Sequence, residues 1–290
     1  MAMSTSVIVF AKAPVAGFAK TRLAPALGVE AAALLAERML CHALAQAVAA
    51  GIGPVELCVT PDASHPALRR AAADWGATLA GQGPGDLGER MHRALARHLA
   101  QPGRALLMGS DAPALDAARL RQAAAALADH DAVFVPALDG GYVLIGLRRP
   151  DRRWFDGMSW SHSRVMHDTR ARLRAAGARW AELEPLADID EPADLRQLPS
   201  GWLEAVMPLD PAPGPAAGPP RGTAAQRWRS SENTTTSNPA STSPPPPAAT
   251  QPGRSPTIST ARAKAVTGSA SASVTPVAAD TCSRPWLKSR

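Results

Sequence analysis

Arg104-Ala-Leu-Leu-Met-Gly-Ser-Asp111-Ala-Pro113 is the stretch on which the fold turns. Residues 105–108 are apolar without polar alternation, as in a strand buried on both faces. Gly109 and Pro113 break the run. Asp111 then stands just past the carboxyl end of a strand. Open α/β sheets bind ligands outside that edge. A carboxylate there suits a divalent cation held against phosphate oxygens. The competing reading is a cap for the next helix.

Outward from this strand, apolar runs alternate with helical patterns. Strands are predicted over 6–11, 55–59, 77–80, 132–135 and 142–147. Helices are predicted over 30–50, 65–75, 89–100, 116–128 and 161–176, the last capped by Ser161 or Ser163, with a short final helix over 191–198. Gly51 and Gly76 are helix stops. This alternation predicts a three-layer α/β fold, with a mostly parallel central sheet and helices on both faces.

Composition divides the chain near Pro208. Beyond it Pro, Ser, Thr, Ala and Gly dominate, with four consecutive prolines at 244–247. Such a segment buries too little apolar surface to offset its ordering entropy. One folded domain is expected over 1–207, with a disordered basic tail over 208–290. From Asp210 onward nine Lys/Arg face three acids, so the tail carries the whole net charge of +6. The domain is formally neutral, which argues against nucleic acid as its partner. Cys41, Cys58 and Cys282 lack metal-type spacing. Cys41 and Cys58 fall in a helical and a strand pattern and read as buried reduced thiols, which suits the cytoplasm. The apolar run at 7–10 is too short for a signal peptide, and no run is expected to cross a bilayer.

Four segments carry chemistry. The loop Lys12-Ala-Pro-Val-Ala-Gly17-Phe-Ala-Lys20-Thr-Arg22 brings three cations and no acid after the first strand. Lys12, Gly17, Lys20 and Arg22 are expected to bind phosphates, Arg through its planar fork and Lys as a point charge. It matches neither the dinucleotide fingerprint nor a P-loop. Gly81-Gln82-Gly-Pro-Gly85-Asp-Leu-Gly88-Glu-Arg-Met is a second loop. There Gln82 and Gly85 are expected at a nucleotide, Gln82 reading a base edge, and Asp86 at a helix cap. Asp139-Gly-Gly-Tyr-Val-Leu-Ile-Gly-Leu marks a turn in which Asp139 orients a substrate or takes a proton; an ordinary hairpin is the rival reading. In Asp188-Ile-Asp190-Glu-Pro two carboxylates flank an isoleucine and point to opposite faces if extended. One joins Asp111 at a metal, or Asp190 caps a helix begun by proline. The seven histidines show no zinc spacing, and His162 reads as a surface or cap residue.

In this order the segments resemble a known family. Lys12-Ala-Pro, Gly17, Lys20-Thr-Arg22-Leu, Gln82, Gly85-Asp-Leu-Gly88-Glu-Arg-Met, Gly109-Ser-Asp111-Ala-Pro113, Asp139-Gly-Gly-Tyr142 and Asp188-Ile-Asp190-Glu-Pro are similar to segments of the GT-A-type glycosyltransferase-like, radical-SAM/selenodomain-associated transferases. These are in turn similar to 2-phospho-lactate guanylyltransferase and the molybdenum-cofactor nucleotidyltransferases. The resemblance spans residues 7–198. It implies a nucleotide-diphospho-sugar transferase fold and a Mg²⁺ (or Mn²⁺) site with Asp111 and Asp190 as ligands. It further implies Lys20 and Arg22 on phosphates, a nucleotide or nucleotide-sugar donor and a small-molecule acceptor. The related Asp-Thr-Pro-Glu-Asp pattern has Glu191 and Ala193 here in place of Thr and Glu, and His162 stands where Thr is common.

The catalytic set expected is Lys20, Arg22, Asp111 and Asp139. The basic first loop favours nucleotidyl transfer from a triphosphate to a phosphorylated acceptor, which needs no general base. Glycosyl transfer from an NDP-sugar is the alternative, with Asp139 or Asp188 as base. A nucleotide-binding protein without turnover is the third reading.

Overall fold

A computed structural model describes residues 4–207. The tail expected over 208–290 and Cys282 lie outside the described residues.

The strands are β1 (Thr5–Lys12), β2 (Val55–Thr60), β3 (Thr78–Gly81), β4 (Arg104–Gly109), β5 (Ala132–Pro136), β6 (Tyr142–Leu147) and β7 (Trp180–Glu182). They form one sheet in the order β3-β2-β1-β4-β6-β5-β7. β6 pairs antiparallel with β4 and β5. The β1–β2, β1–β4, β2–β3 and β5–β7 pairs are parallel, as the alternation of apolar runs and helices predicts. The carboxyl ends of β1 to β4 therefore share one edge, and the β5–β6 hairpin turns at that edge.

Alternation along β1 builds two cores. Val7 and Val9 face α2 (Val29–Ala50), α3 (Pro66–Asp74) and α5 (Ala117–Ala126), where Leu40, Leu44, Leu68 and Leu120 are buried. Ile8 and Phe10 face α4 (Leu87–His98) and α6 (Val165–Ala175) through Met91, Leu95, Met166 and Leu173. The result is a sheet covered on both faces. A third cluster joins α1 (Ala24–Leu27), α2 and α7 (Trp202–Val206) around Leu23, Leu35, Met39 and Trp202. Arg38 reinforces it, lying 4.7 Å from the Trp202 ring centroid.

The expectation that no apolar run approaches the length needed to cross a bilayer fails by length and composition. α2 has 22 residues and a mean hydropathy of 1.2, enough by composition to cross a membrane. Its apolar side chains instead pack into two of the cores, which explains their number. It ends at Gly51, a left-handed C-cap with φ 63°.

Local signals succeed at α4. Asp86 accepts from the Glu89 backbone N–H and Glu89 reciprocates, closing a capping box. They fail at α6, which begins at Val165 after Arg164 without a side-chain cap. Ser161 and Ser163 stay in the preceding loop, where Ser161 has a φ of 64°. Cys41 and Cys58 are buried, and neither forms a disulfide among the described residues. Burial, reinforced by Glu56, pushes the Cys58 thiol up to about 11, so it is an inert core group.

Candidate active site

The site is assembled around Ile189. This side chain is buried with Leu23, Leu35 and Trp202, and its burial leaves Asp188 and Asp190 on either side nearer the surface. The Ile189 backbone N–H donates to the Asp111 carbonyl at 2.9 Å. One hydrogen bond thus ties the segment after β7 to the end of β4 and brings Asp111 and Asp190 together. Leu23, fully buried in the same cluster, anchors the loop that carries Lys20 and Arg22.

Between the two carboxylates lies an ammonium. Lys20 Nζ is 3.0 Å from Asp111 Oδ2 and 2.7 Å from Asp190 Oδ1, and it donates to the Ile189 carbonyl at 2.7 Å. The Lys20 side chain is 7% exposed, whereas Asp111 and Asp190 are 43% and 46% exposed. Burial works against the Lys20 charge, but Asp111 and Asp190 outweigh it and hold the pKa above the ordinary lysine value. Lys20 also has a φ of 49°, a left-handed conformation that costs a residue bearing a side chain.

Three adjoining clefts open here. The first, about 530 Å³, lies over the ends of β1, β2 and β4 and is lined by Lys12, Lys20, Arg22, Arg90, Asp111 and Asp190. The second, about 370 Å³, has Met91, Tyr142, Trp160 and Val165 as walls and Asp139, Ser161 and His162 as polar groups. The third, about 310 Å³, is acidic, with Asp139, Asp188, Asp190, Glu191 and Asp194. Arg22 and Asp190 line all three. Burial, then the nearby Asp139 and Asp190 charges, raise the Asp188 carboxyl to about 6. The whole arrangement occupies the sheet edge at which open α/β proteins bind ligands.

A family model described as an uncharacterized protein conserved in bacteria (DUF2064) matches residues 43–162. A crystal structure from Desulfovibrio desulfuricans G20, described as a "putative nucleotide-diphospho-sugar transferase", is 32% identical. The match covers 65% of this chain and 84% of that one, with a TM-score of 0.60. The chain belongs to this family. A nucleotidyl transferase from Methanothermobacter thermautotroptrophicus is 16% identical over 71% of this chain and all of that one, with a TM-score of 0.49. A 4-diphosphocytidyl-2C-methyl-D-erythritol synthase is 10% identical over 68% and 97% of the two chains, with a TM-score of 0.47. No curated protein matches the chain. The family model takes in Asp111 and Asp139 and stops short of Lys20, Arg22 and Asp190, which the fold brings to the same place.

The donor set fits a divalent ion that shares its coordination with substrate. Two carboxylates converge on one ammonium nitrogen, so their oxygens reach a common point. Among the described residues no three His, Cys, Asp or Glu side chains gather into a metal cage. Mg²⁺ and similar ions commonly take one or two carboxylates and complete their shell with phosphate oxygens and water.

Other expected residues have different surroundings from those the sequence suggested. Gln82 is buried, and its side-chain amide donates to the Ala11 and Cys58 carbonyls at 3.3 and 3.2 Å. The N–H groups expected to read a base are thus committed to bridging β1 and β2, although Gln82 borders the first cleft. Gly17 and Gly85 shape loops and do not line that cleft. At Gly85 a side chain would collide with the Glu89 carboxylate of the capping box. Lys12 lies 5.0 Å from the Phe18 ring centroid at the cleft wall. Asp139 sits in a β5–β6 hairpin, as the rival reading had it, accepts from the Gly141 N–H at 2.8 Å and faces the second and third clefts. Asp190 is not a helix cap. Glu191 takes that place, in a capping box with Asp194. Asp188 and Asp190 are not on opposite sides either, since both line the third cleft. His162 accepts from the Arg164 N–H at 3.1 Å, a local turn contact. Sequence reasoning missed Arg90, which reads as a helical surface residue but lines the first cleft while its Nε donates to Gly85.

Proposed function

We propose that this domain is a transferase that uses a nucleotide-activated donor, within the radical-SAM/selenodomain-associated branch that the sequence resembles. The observation that carries the reading is the convergence of Asp111, Asp190 and Lys20 at the edge of a cleft that also holds Lys12, Arg22 and Arg90. Donor phosphates would lie in this first cleft. Lys12, Arg22 and Arg90 would neutralise their oxygens, with Arg22 nearest the acceptor side because it lines all three clefts. Asp111 and Asp190 would hold Mg²⁺ or Mn²⁺. When bound, such an ion supplies charge stabilisation at the phosphate oxygens. The acceptor would enter over Trp160 and Tyr142 and meet the donor beside Asp139 and Arg22. The description of the Desulfovibrio relative as a nucleotide-diphospho-sugar transferase agrees with this donor class.

We favour nucleotidyl transfer from a nucleoside triphosphate to a small phosphorylated acceptor, because cations outnumber carboxylates in the donor cleft. Asp188 supports glycosyl transfer from an NDP-sugar as a second reading. A half-buried carboxylate whose pKa is raised to about 6 beside Asp139 suits a general base for a hydroxyl acceptor. Incubation with each nucleoside triphosphate, or with UDP- and GDP-sugars, plus Mg²⁺ and candidate acceptors separates the two. Pyrophosphate release is expected for the first, and release of the nucleoside diphosphate supports the second. Release of neither product with any donor would contradict both.

A further inference from the structure

Lys20 sits where a cation shared by Asp111 and Asp190 belongs. An ammonium has three N–H donors. Asp111, Asp190 and the Ile189 carbonyl, at 3.0, 2.7 and 2.7 Å, offer it three acceptors. The backbone at Lys20 is held at φ 49° while it does so. A divalent ion on the same carboxylates would stand within a few ångströms of this charge, and like charges that close in a half-buried site repel strongly. The two cations therefore compete for one seat. The first cleft gives Lys20 no other anion: its lining carboxylates are Asp111 and Asp190 themselves, and Lys12, Arg22 and Arg90 add further positive charge. A polyphosphate in the cleft supplies the missing partner.

We propose that Lys20 is the resident cation of the Asp111–Asp190 pair, and that a divalent metal takes the pair when a polyphosphate draws the ammonium away. The inference rests on the pair being the metal seat, as set out under Proposed function. The free protein then binds metal weakly, and metal and donor phosphates load together. Both affinities depend on the same side chain, so replacing it moves them in opposite directions.

The test uses the full chain and two direct binding measurements. Mn²⁺ binding without nucleotide is read from the EPR signal of free Mn²⁺. Binding of inorganic tripolyphosphate without metal is read by calorimetry. Lys20→Met and Lys20→Gln are expected to bind Mn²⁺ about tenfold tighter than the wild type and tripolyphosphate about fivefold weaker. Adding Asp190→Asn to Lys20→Met is expected to abolish the gain in Mn²⁺ affinity. Lys20→Gln keeps an amide donor for the Ile189 carbonyl and carries the test should Lys20→Met fail to fold. Variants that bind Mn²⁺ no tighter than the wild type would overturn the proposal, as would unchanged tripolyphosphate affinity. The transferase reading fails separately. A protein that shows this exchange and yet forms no product with any donor keeps the proposal and loses the activity.

Discussion

In the proposed site Asp111 would serve chemistry more than folding. It is 43% exposed, and its loss leaves Lys20 with Asp190 and the Ile189 carbonyl. Asp111→Ala is expected to lower turnover by about 100-fold or more, while urea denaturation shows a stability change of about 1 kcal/mol or less. Wild-type turnover in this variant would remove Asp111 from the mechanism. Asp188 behaves in the reverse way. Its carboxyl rises from 3.8 to about 6 on folding, so the native state holds its proton more tightly than the unfolded chain. Its contribution to stability is fully present below pH 3.8 and is lost as pH rises through 6. Asp188→Asn, which keeps the neutral shape, is expected to stabilise the protein at pH 8 by up to about 2 kcal/mol, after allowance for its partial exposure. The gain should vanish near pH 4 in pH-dependent denaturation curves, and a gain independent of pH would contradict it. Asp111, Lys20, Arg22 and Asp190 stood out as candidates because each carries a charge next to a strand end or within a loop marked by Gly or Pro. Their grouping was not. The Lys20–Asp190 contact spans 170 positions, and the burial of Ile189 that sets it up has no local signature.

At the scale of elements, one ion-pair group fastens α4 to β2. Glu56 is buried in the sheet, forms an ion pair with Arg97, and lies 3.0 Å from His98 Nε2. Burial disfavours its charge, but His98 and then Arg97 outweigh this and hold its carboxyl below the usual range. Glu56→Gln leaves Arg97 and His98 without that anion and is expected to cost about 2–3 kcal/mol in chemical denaturation. A loss within experimental error would show that α4 is held by Met91 and Leu95 alone. The start of α4 was legible from Asp86 and Glu89 because a capping box is a local pattern. The start of α6 was not, since Ser161 and Ser163 have the right chemistry for a cap but border the second cleft instead. β7 is three residues, two half-buried and one exposed, too short for an alternating pattern to show. It joins the sheet by pairing with β5, a contact between distant segments.

Across the whole molecule, the apolar clusters among the described residues are built from positions 7 to 206. Removing residues 211–290 is therefore expected to leave the melting temperature within about 2 °C of the full chain. A larger fall in calorimetry would mean that the proline-rich segment takes part in folding. The three-layer architecture was legible because apolar runs and helical patterns alternate along most of the domain. The antiparallel place of β6 required only that the Asp139-Gly140 turn be a hairpin. The neutral balance of the domain hides a sharp internal separation: cations gather over the first cleft and carboxylates over the third, with Arg22 and Asp190 at the junction. The convergence of Asp111 and Asp190 on one cation is tested most directly by thermal-shift titration. The wild type, Asp111→Ala and Asp190→Asn would each be titrated with nucleoside triphosphates and NDP-sugars, with and without Mg²⁺. The expected result is a nucleotide that raises the wild-type melting temperature further when Mg²⁺ is added, with that Mg²⁺-dependent increment lost in both variants. A nucleotide shift indifferent to Mg²⁺ and unchanged in both variants, or no shift with any nucleotide, would contradict it.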